Sequence, residues 1–419
     1  MSDAIRRVFL SYSAEDVQEV ERLDLELRRR GVPLWRDRTE LLKGRPAEEE
    51  IEKAADQSAG FAFYLTSHAV RSEWVREKER GHALQNFARK KGFGIVPIFR
   101  EDLKTLVTDF QRLGTGRPGT DYDIGRFNGY TMDLARIGRG ELAPEIAAAA
   151  ETVLLSLLET LREGAPAGDR LRIGLATRRG PGLHGLPLHL LLDWTVDYEP
   201  LGQVPDAAAF DRDLAPALRS LANAIRSWPG LALQLVPKCH LSMALAVGFA
   251  LRRTFSADLE VVEILTGEAW AGPAVPRPPA PDLWTLKTRN PPKGSSPSST
   301  VVVTVGISRP IARTVVGFLR SSGLAYGRRL DFEPRPAPST TVLQGRDPDA
   351  AQRMAVAVRE AIVAAQSRIG QGEVHLFFAG PPAFAVLLGQ QLANVGMIQT
   401  YEWLDSVSRY QPAFQLRSS

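Results

Sequence analysis

The run Ser72-Glu73-Trp74-Val75-Arg76-Glu77-Lys78-Glu79 crowds carboxylates around a tryptophan. A carboxylate beside a cleft can stabilise the positive charge that develops on a sugar ring as its glycosidic bond breaks. At 100° per residue, Glu77 lies about −60° from Trp74 around a helix and Glu79 about 140°. Glu77 therefore shares the tryptophan's face. Both are candidate catalytic residues, with Glu77 preferred on orientation. Other turns offer a different chemistry. Lys238, His240 and Ser242, then Ser308 and Arg309, then Gly380, Pro381 and Pro382 each stand where an apolar run gives way to a helical one. A lysine is a point charge for phosphate, a helix start presents N–H groups to anions, and glycine lets a ligand approach the backbone. Trp403, Tyr401 and Trp270 could each stack on a base.

These residues need a frame of strands ending at helix starts. Val8–Ser11 reads as a short buried strand, Ser13 as a helix cap with Asp16 in capping-box position, and Val17, Val20, Leu23 and Leu27 as the inner face of a helix closed by Gly31. Strand signals recur at 32–37, 60–66 and 94–99, between helical stretches at 47–55 and 70–91, with an Ala/Leu-rich helix near 142–161. Short apolar strands between helices indicate a parallel sheet covered on both faces.

After linker composition at 164–169 the alternation restarts. Strands are expected at 171–176, 188–198, 231–236 and 259–265, and helices at 206–228 and 240–255. The Pro- and Ser-rich segment 271–300 cannot build a core and reads as a connection. A further run follows, with strands at 301–308, 330–332, 373–378 and 397–404 and helices at 310–322, 350–369 and 381–395. Two stretches repeat one another, Leu235 to Gly248 and Leu376 to Gly389. Each runs strand, turn, helix, with a glycine eleven residues after Pro237 and Phe378 respectively. A mid-helix glycine costs ~1 kcal/mol against alanine, so its recurrence predicts two helices in close contact. The pattern implies two related Rossmann-like subdomains whose helix starts share one crevice, suited to a ligand with several phosphates.

The 419 residues allow two or three domains, and 44% hydrophobic with 24% charged residues is an ordinary globular composition. Division is expected at 1–165 and 166–419, the latter split into 166–270 and 300–419. One cysteine, Cys239, excludes a disulfide within the chain and a cysteine metal site. The histidines show no metal-ligand spacing, so no metal is expected. The N-terminus lacks an apolar signal core and no run approaches a membrane span, so the expected location is cytoplasmic. The net charge is +4 and the basic residues are interspersed with acidic ones, which argues against duplex nucleic acid as a partner.

Phe9-Leu10-Ser11-Tyr12-Ser13, then Leu34-Trp35-Arg36-Asp37-Arg38 with Leu42-Lys43-Gly44, then Leu65-Thr66-Ser67 and Ser72-Glu73-Trp74-Val75 resemble, in order and spacing, the successive boxes of TIR domains. The resemblance implies a flavodoxin-like fold and cleavage of NAD+, as substrate and not cofactor, at the nicotinamide–ribose bond. Family members carry a glutamate four residues after the tryptophan, where this chain has Lys78. Counted instead from the other end, Glu79 stands four before Ala83, which is the family's spacing. The two counts disagree as if the helix held one extra residue. Ser11, Asp37, Ser72 and Trp74 are the implied substrate-binding residues, and the 37–46 loop the implied contact with a neighbouring TIR domain.

The second half resembles the SAVED domain, a fusion of two CARF-like subdomains, in His375-Leu-Phe-Phe-Ala-Gly-Pro-Pro, Gly389, Tyr410-Gln-Pro-Ala-Phe-Gln-Leu and the His240–Gly248 segment. That resemblance implies a cyclic oligoadenylate ligand, a cyclic trinucleotide foremost. Together the two halves imply an antiviral effector whose NAD+ glycohydrolase is switched on by the ligand through head-to-tail self-association. The alternative is a non-catalytic TIR scaffold that binds the nucleotide and recruits partners.

Overall fold

The computed structural model describes residues 7–36, 47–72, 75, 79–90, 93–102, 104, 106, 127–164, 169–179, 183, 186–199, 204–228, 230–252, 258–271, 278–335, 337–339, 343 and 349–417. The chain forms two compact units. One comprises Met1–Asp169 with His184–Leu192, the other Arg170–Leu183 with Asp193–Ser419.

In the first unit β1 (Val8–Ser11), β2 (Leu34–Trp35), β3 (Gly60–Leu65), β4 (Gly94–Phe99) and β5 (Tyr130–Thr131) form a parallel sheet in the order β2-β1-β3-β4-β5. That is the flavodoxin-like order. All of β3, Gly-Phe-Ala-Phe-Tyr-Leu, is buried, as a strand covered on both faces must be. The Val17–Arg29 helix buries Val20, Leu23 and Leu27. The Leu142–Gly164 helix lies so close to β4 that a Cβ on Gly94 would stand 2.8 Å from Thr160 Oγ1. On one face Trp35, Phe9, Phe61 and Phe63 stack in a row, with successive centroids 4.8, 4.6 and 5.5 Å apart. The continuous helix expected over 70–91 is instead broken. A short helix, Ser67–Arg71, ends at Ser72, whose backbone is extended, and a new one spans Arg80–Arg89.

The second unit holds two related sheets. In one, β6 (Arg170–Ala176), β8 (Ala232–Lys238) and β9 (Leu259–Val262) run parallel, and β10 (Ala269–Ala271) is antiparallel to β9. Strand β7 (Leu190–Asp193), of which Leu190–Leu192 is counted with the first unit, is shorter than the strand expected over 188–198. The other sheet runs β11-β13-β12-β14-β15-β16. Its four inner strands, β12 (Val301–Gly306), β13 (Arg328–Pro334), β14 (Val374–Ala379) and β15 (Ile398–Leu404), are parallel. Its edges, β11 (Trp284–Arg289) and β16 (Arg409–Leu416), are antiparallel. Strand β11 corrects the reading of 271–300 as connection alone. Trp284 is buried there, and its indole N–H donates to Met354 O at 2.9 Å.

The repeated glycines meet. Gly248 lies in the Leu241–Ala250 helix and Gly389 in the Pro382–Gln391 helix. A Cβ on Gly248 would sit 2.0 Å from Val386 O, and one on Gly389 would sit 2.2 Å from Leu245 O. Backbone therefore crosses directly over backbone. Both helices are apolar nearly all round, so burial on every side is what their composition requires. Among the described residues no helix is long and apolar enough to cross a membrane.

Candidate functional site

At the carboxyl edge of the first sheet, Ser11 Oγ donates a hydrogen bond to Glu79 Oε2. Both residues are buried, Ser11 at 1% and Glu79 at 7% exposure, so this carboxylate is not a solvated helix charge. Glu79 immediately precedes the Arg80–Arg89 helix. Val75 and Glu79 are wound as π-helix, in which hydrogen bonds span five residues instead of four. Such a turn absorbs one extra residue and is frequent at functional sites. The phase angles of an ideal helix therefore do not apply at Glu79, which stands four residues before the fully buried Ala83. Ser72 is half-buried and its Oγ faces the Val75 N–H at 3.5 Å. Asp37, Trp74 and Glu77 lie outside the described residues, as does the 37–46 loop.

The other acidic groups along this edge have structural partners. Thr66 Oγ1 donates to Asp16 Oδ2 at 2.6 Å, and His68 Nδ1 lies 3.0 Å from Asp16 Oδ1. Asp16 thus serves that pair instead of closing a capping box. Ser67 donates through both N–H and Oγ to Glu101 Oε1, each at 3.1 Å. Arg100 forks onto Glu19 at 2.6 and 3.0 Å, and Tyr64 donates to the same carboxylate. Burial pushes the Glu19 carboxyl up, but the bonds from Arg100 and Tyr64 outweigh it and hold the group below its usual range.

In the second unit the expected ligand-binding residues stand at strand ends. Lys238 ends β8 and is half-buried. His240 is the N-cap residue of the Leu241–Ala250 helix, and its ring stacks on Tyr198 with centroids 4.5 Å apart. Thr177 Oγ1 accepts the His240 N–H at 2.8 Å and lies 2.8 Å from its Nδ1. Burial, reinforced by the Arg178 charge, depresses the imidazole pKa to about 4, so His240 is neutral at ordinary pH. Arg178 and Arg179, exposed after the end of β6, add two cations that the sequence reading passed over. Arg179 pairs with Glu199, whereas Arg178 makes no ion pair among the described residues.

Where the sequence suggested an open anion cradle at the start of the 241–250 helix, the chain supplies its own anion. Glu402 of β15 accepts from the Leu241 N–H at 3.2 Å and from the Ser242 N–H at 2.8 Å. Ser242 is wholly enclosed. Burial raises the Glu402 pKa, opposed by the N–H donors and by Arg178.

After β12, Ser308 is half-buried and Arg309 exposed, its guanidinium 5.3 Å above the Trp403 ring. After β14, Gly380 is required by close packing, since a Cβ there would stand 2.7 Å from the Phe378 ring. Pro381 and Pro382 open the next helix, where a missing N–H costs nothing. Of the three aromatics weighed for stacking, Tyr401 and Trp270 are buried in cores. Trp403 is half-buried and walls an open groove of about 810 Å³ with Phe318, Tyr410 and Arg409. Among the described residues no group of three or more His, Cys, Asp or Glu could hold a metal ion.

The TIR domain family model matches residues 8–123. The model of SAVED, described as "SMODS-associated and fused to various effectors sensor domain", matches residues 211–416. No curated protein matches the chain. Similar solved structures include an Acinetobacter baumannii Cap4 SAVED/CARF-domain containing receptor with the cyclic trinucleotide 3′3′3′-cAAA, at 16% identity and TM-score 0.46, covering 99% of this chain and 81% of that one. A Moraxella osloensis Cap4 SAVED/CARF-domain containing receptor is similar at 15% identity and TM-score 0.42, covering 99% and 87%.

Proposed function

The chain carries a TIR domain followed by a SAVED sensor domain, and on that premise we propose that it is an NAD+ glycohydrolase switched on by a cyclic oligonucleotide. The observation that carries the catalytic part is the buried Ser11–Glu79 hydrogen bond at the carboxyl edge of the first sheet. Cleaving the nicotinamide–ribose bond releases neutral nicotinamide and leaves positive charge on the ribose ring. The Glu79 carboxylate, withdrawn from solvent, stabilises that charge until water adds at the anomeric carbon and gives up a proton. Ser11 Oγ donates to Oε2 of that carboxylate and so fixes its position at the sheet edge.

The sensor role rests on the strand-end cluster of the second unit. Lys238, Arg178 and Arg309 bring positive charge to turns where a phosphate-bearing ring could settle, and Trp403 offers a face to a base. A cyclic trinucleotide is the ligand we favour. Ligand-driven head-to-tail association is the proposed coupling, one TIR domain's 37–46 loop completing the next one's site.

The test incubates purified full-length protein with NAD+ and a panel of cyclic di-, tri- and tetranucleotides, following nicotinamide by chromatography. Release is expected with one ligand, falling at least about 100-fold in Glu79→Gln and about tenfold in Ser11→Ala. No release with any ligand, or full turnover in Glu79→Gln, refutes the catalytic assignment. Light scattering on the same samples tests assembly, which a monomer at full turnover would exclude.

A further inference from the structure

Glu402 stands out among the buried groups because it is a carboxylate at a helix start, supplied by the sheet that does not contain that helix's own strand. Beside it, Tyr198 Oη and Ser242 Oγ are fully enclosed without a well-formed hydrogen bond among the described residues. Two N–H donors, the Ser242 and Tyr198 hydroxyls and one cation, Arg178, thus surround a single buried anion. The Lys238–His240 turn leads directly into this helix start. We propose that Glu402 is the resident anion of the ligand cleft, setting its affinity by competing with an incoming phosphate for the helix start and Arg178, and that binding an anionic ligand drives a proton onto Glu402. This rests on the sensor reading above and deepens it.

The groups facing Glu402 support a proton taken up there and not elsewhere. Tyr198 from the Val196–Tyr198 turn and Cys239 after β8 are both pushed well above their usual ranges by burial. Tyr410 of β16 is raised to about 12, again by burial, with Arg309 opposing. None of the three ionises near neutrality. His240 is held neutral down to about pH 4. Arg178 stays cationic. That leaves Glu402, already lifted by burial, as the group a second anion would push further up. Once it is protonated, its hydroxyl becomes a donor within the same cluster, its carbonyl oxygen still accepts from one of the two N–H groups, and the bond to the other weakens.

A unit negative charge beside a bound phosphate, at an effective dielectric constant of ~20 and partly screened, weakens binding on the order of tenfold. Calorimetry with cyclic tri-adenylate as probe tests this on the full-length protein. Wild-type affinity is expected to fall as pH rises through the raised Glu402 range, above that of an ordinary carboxyl. Glu402→Gln should bind about tenfold more tightly at the alkaline end with a flat profile, while Glu402→Asp keeps the slope. Titrating the wild type in two buffers of different ionisation enthalpy reads proton uptake directly and needs no variant to fold. Zero uptake, or a Gln variant with wild-type slope, overturns the inference while leaving the sensor reading intact. A wild type that binds no cyclic oligonucleotide overturns both.

Discussion

Adding one methyl group at Gly248 should do far more damage than adding it at Gly317. Both glycines sit inside helices, so alanine gains about 1 kcal/mol of helix propensity at either position. Their surroundings differ. A Cβ on Gly317 meets nothing within 4 Å, whereas one on Gly248 would sit 2.0 Å from Val386 O. Ordinary contact begins at 3.4 Å, so the two helices must part by roughly 1.4 Å. The obstacle is backbone of a helix buried on all sides, which cannot swing away as a flexible side chain would. Overpacking of this kind costs ~1–3 kcal/mol or more, and parting the helices also loosens contacts along both. A net loss of about 2 kcal/mol is expected for Gly248→Ala and a gain of up to about 1 kcal/mol for Gly317→Ala. Urea denaturation of the full chain, followed by the near-ultraviolet signal, gives both values. The same crossing fixes the spacing of the two helix starts, so on the proposed sensor role Gly248→Ala should also weaken cyclic tri-adenylate binding. A Gly248→Ala protein as stable as Gly317→Ala, with ligand affinity unchanged, would refute backbone-on-backbone packing at this crossing.

The depressed His240 pKa makes a pH prediction with a definite sign. The folded chain keeps the imidazole neutral down to about pH 4 while the unfolded chain protonates it near its ordinary 6.5. Its contribution is therefore complete above about pH 6.5 and shrinks as pH falls toward 4, by at most roughly 3 kcal/mol. Denaturation midpoints across that window should slope less steeply in His240→Gln, and equal slopes would show that the ring titrates freely. Arg178→Gln should weaken ligand binding roughly three- to tenfold and reduce its salt dependence, since this side chain lends charge without an ion-pair partner among the described residues. A binding titration at two salt concentrations reads both effects.

Strand β1, its helix and the flavodoxin-like alternation could be read from the sequence because they are written in neighbouring residues: apolar runs, a cap and three- or four-residue spacing. The glycine crossing was legible for a related reason. A residue that weakens a helix twice at the same offset signals a constraint from outside that helix. Helical phase counted on an ideal helix was no guide to Glu79, because Val75 and Glu79 are π-wound; Glu77 lies outside the described residues. Strand β11 formed within a Pro- and Ser-rich stretch because β13 offered an edge to pair with, and composition records no partner. Glu402 lies 160 residues from Ser242 along the chain and reaches its N–H only through sheet pairing and the helix crossing. By itself, then, the sequence determined the elements, their order and the residue types at each strand end. The tertiary structure alone buried Glu79 beside Ser11 and set Glu402 against the start of the 241–250 helix, because a charge's burial and partners depend on surfaces brought together from distant parts of the chain.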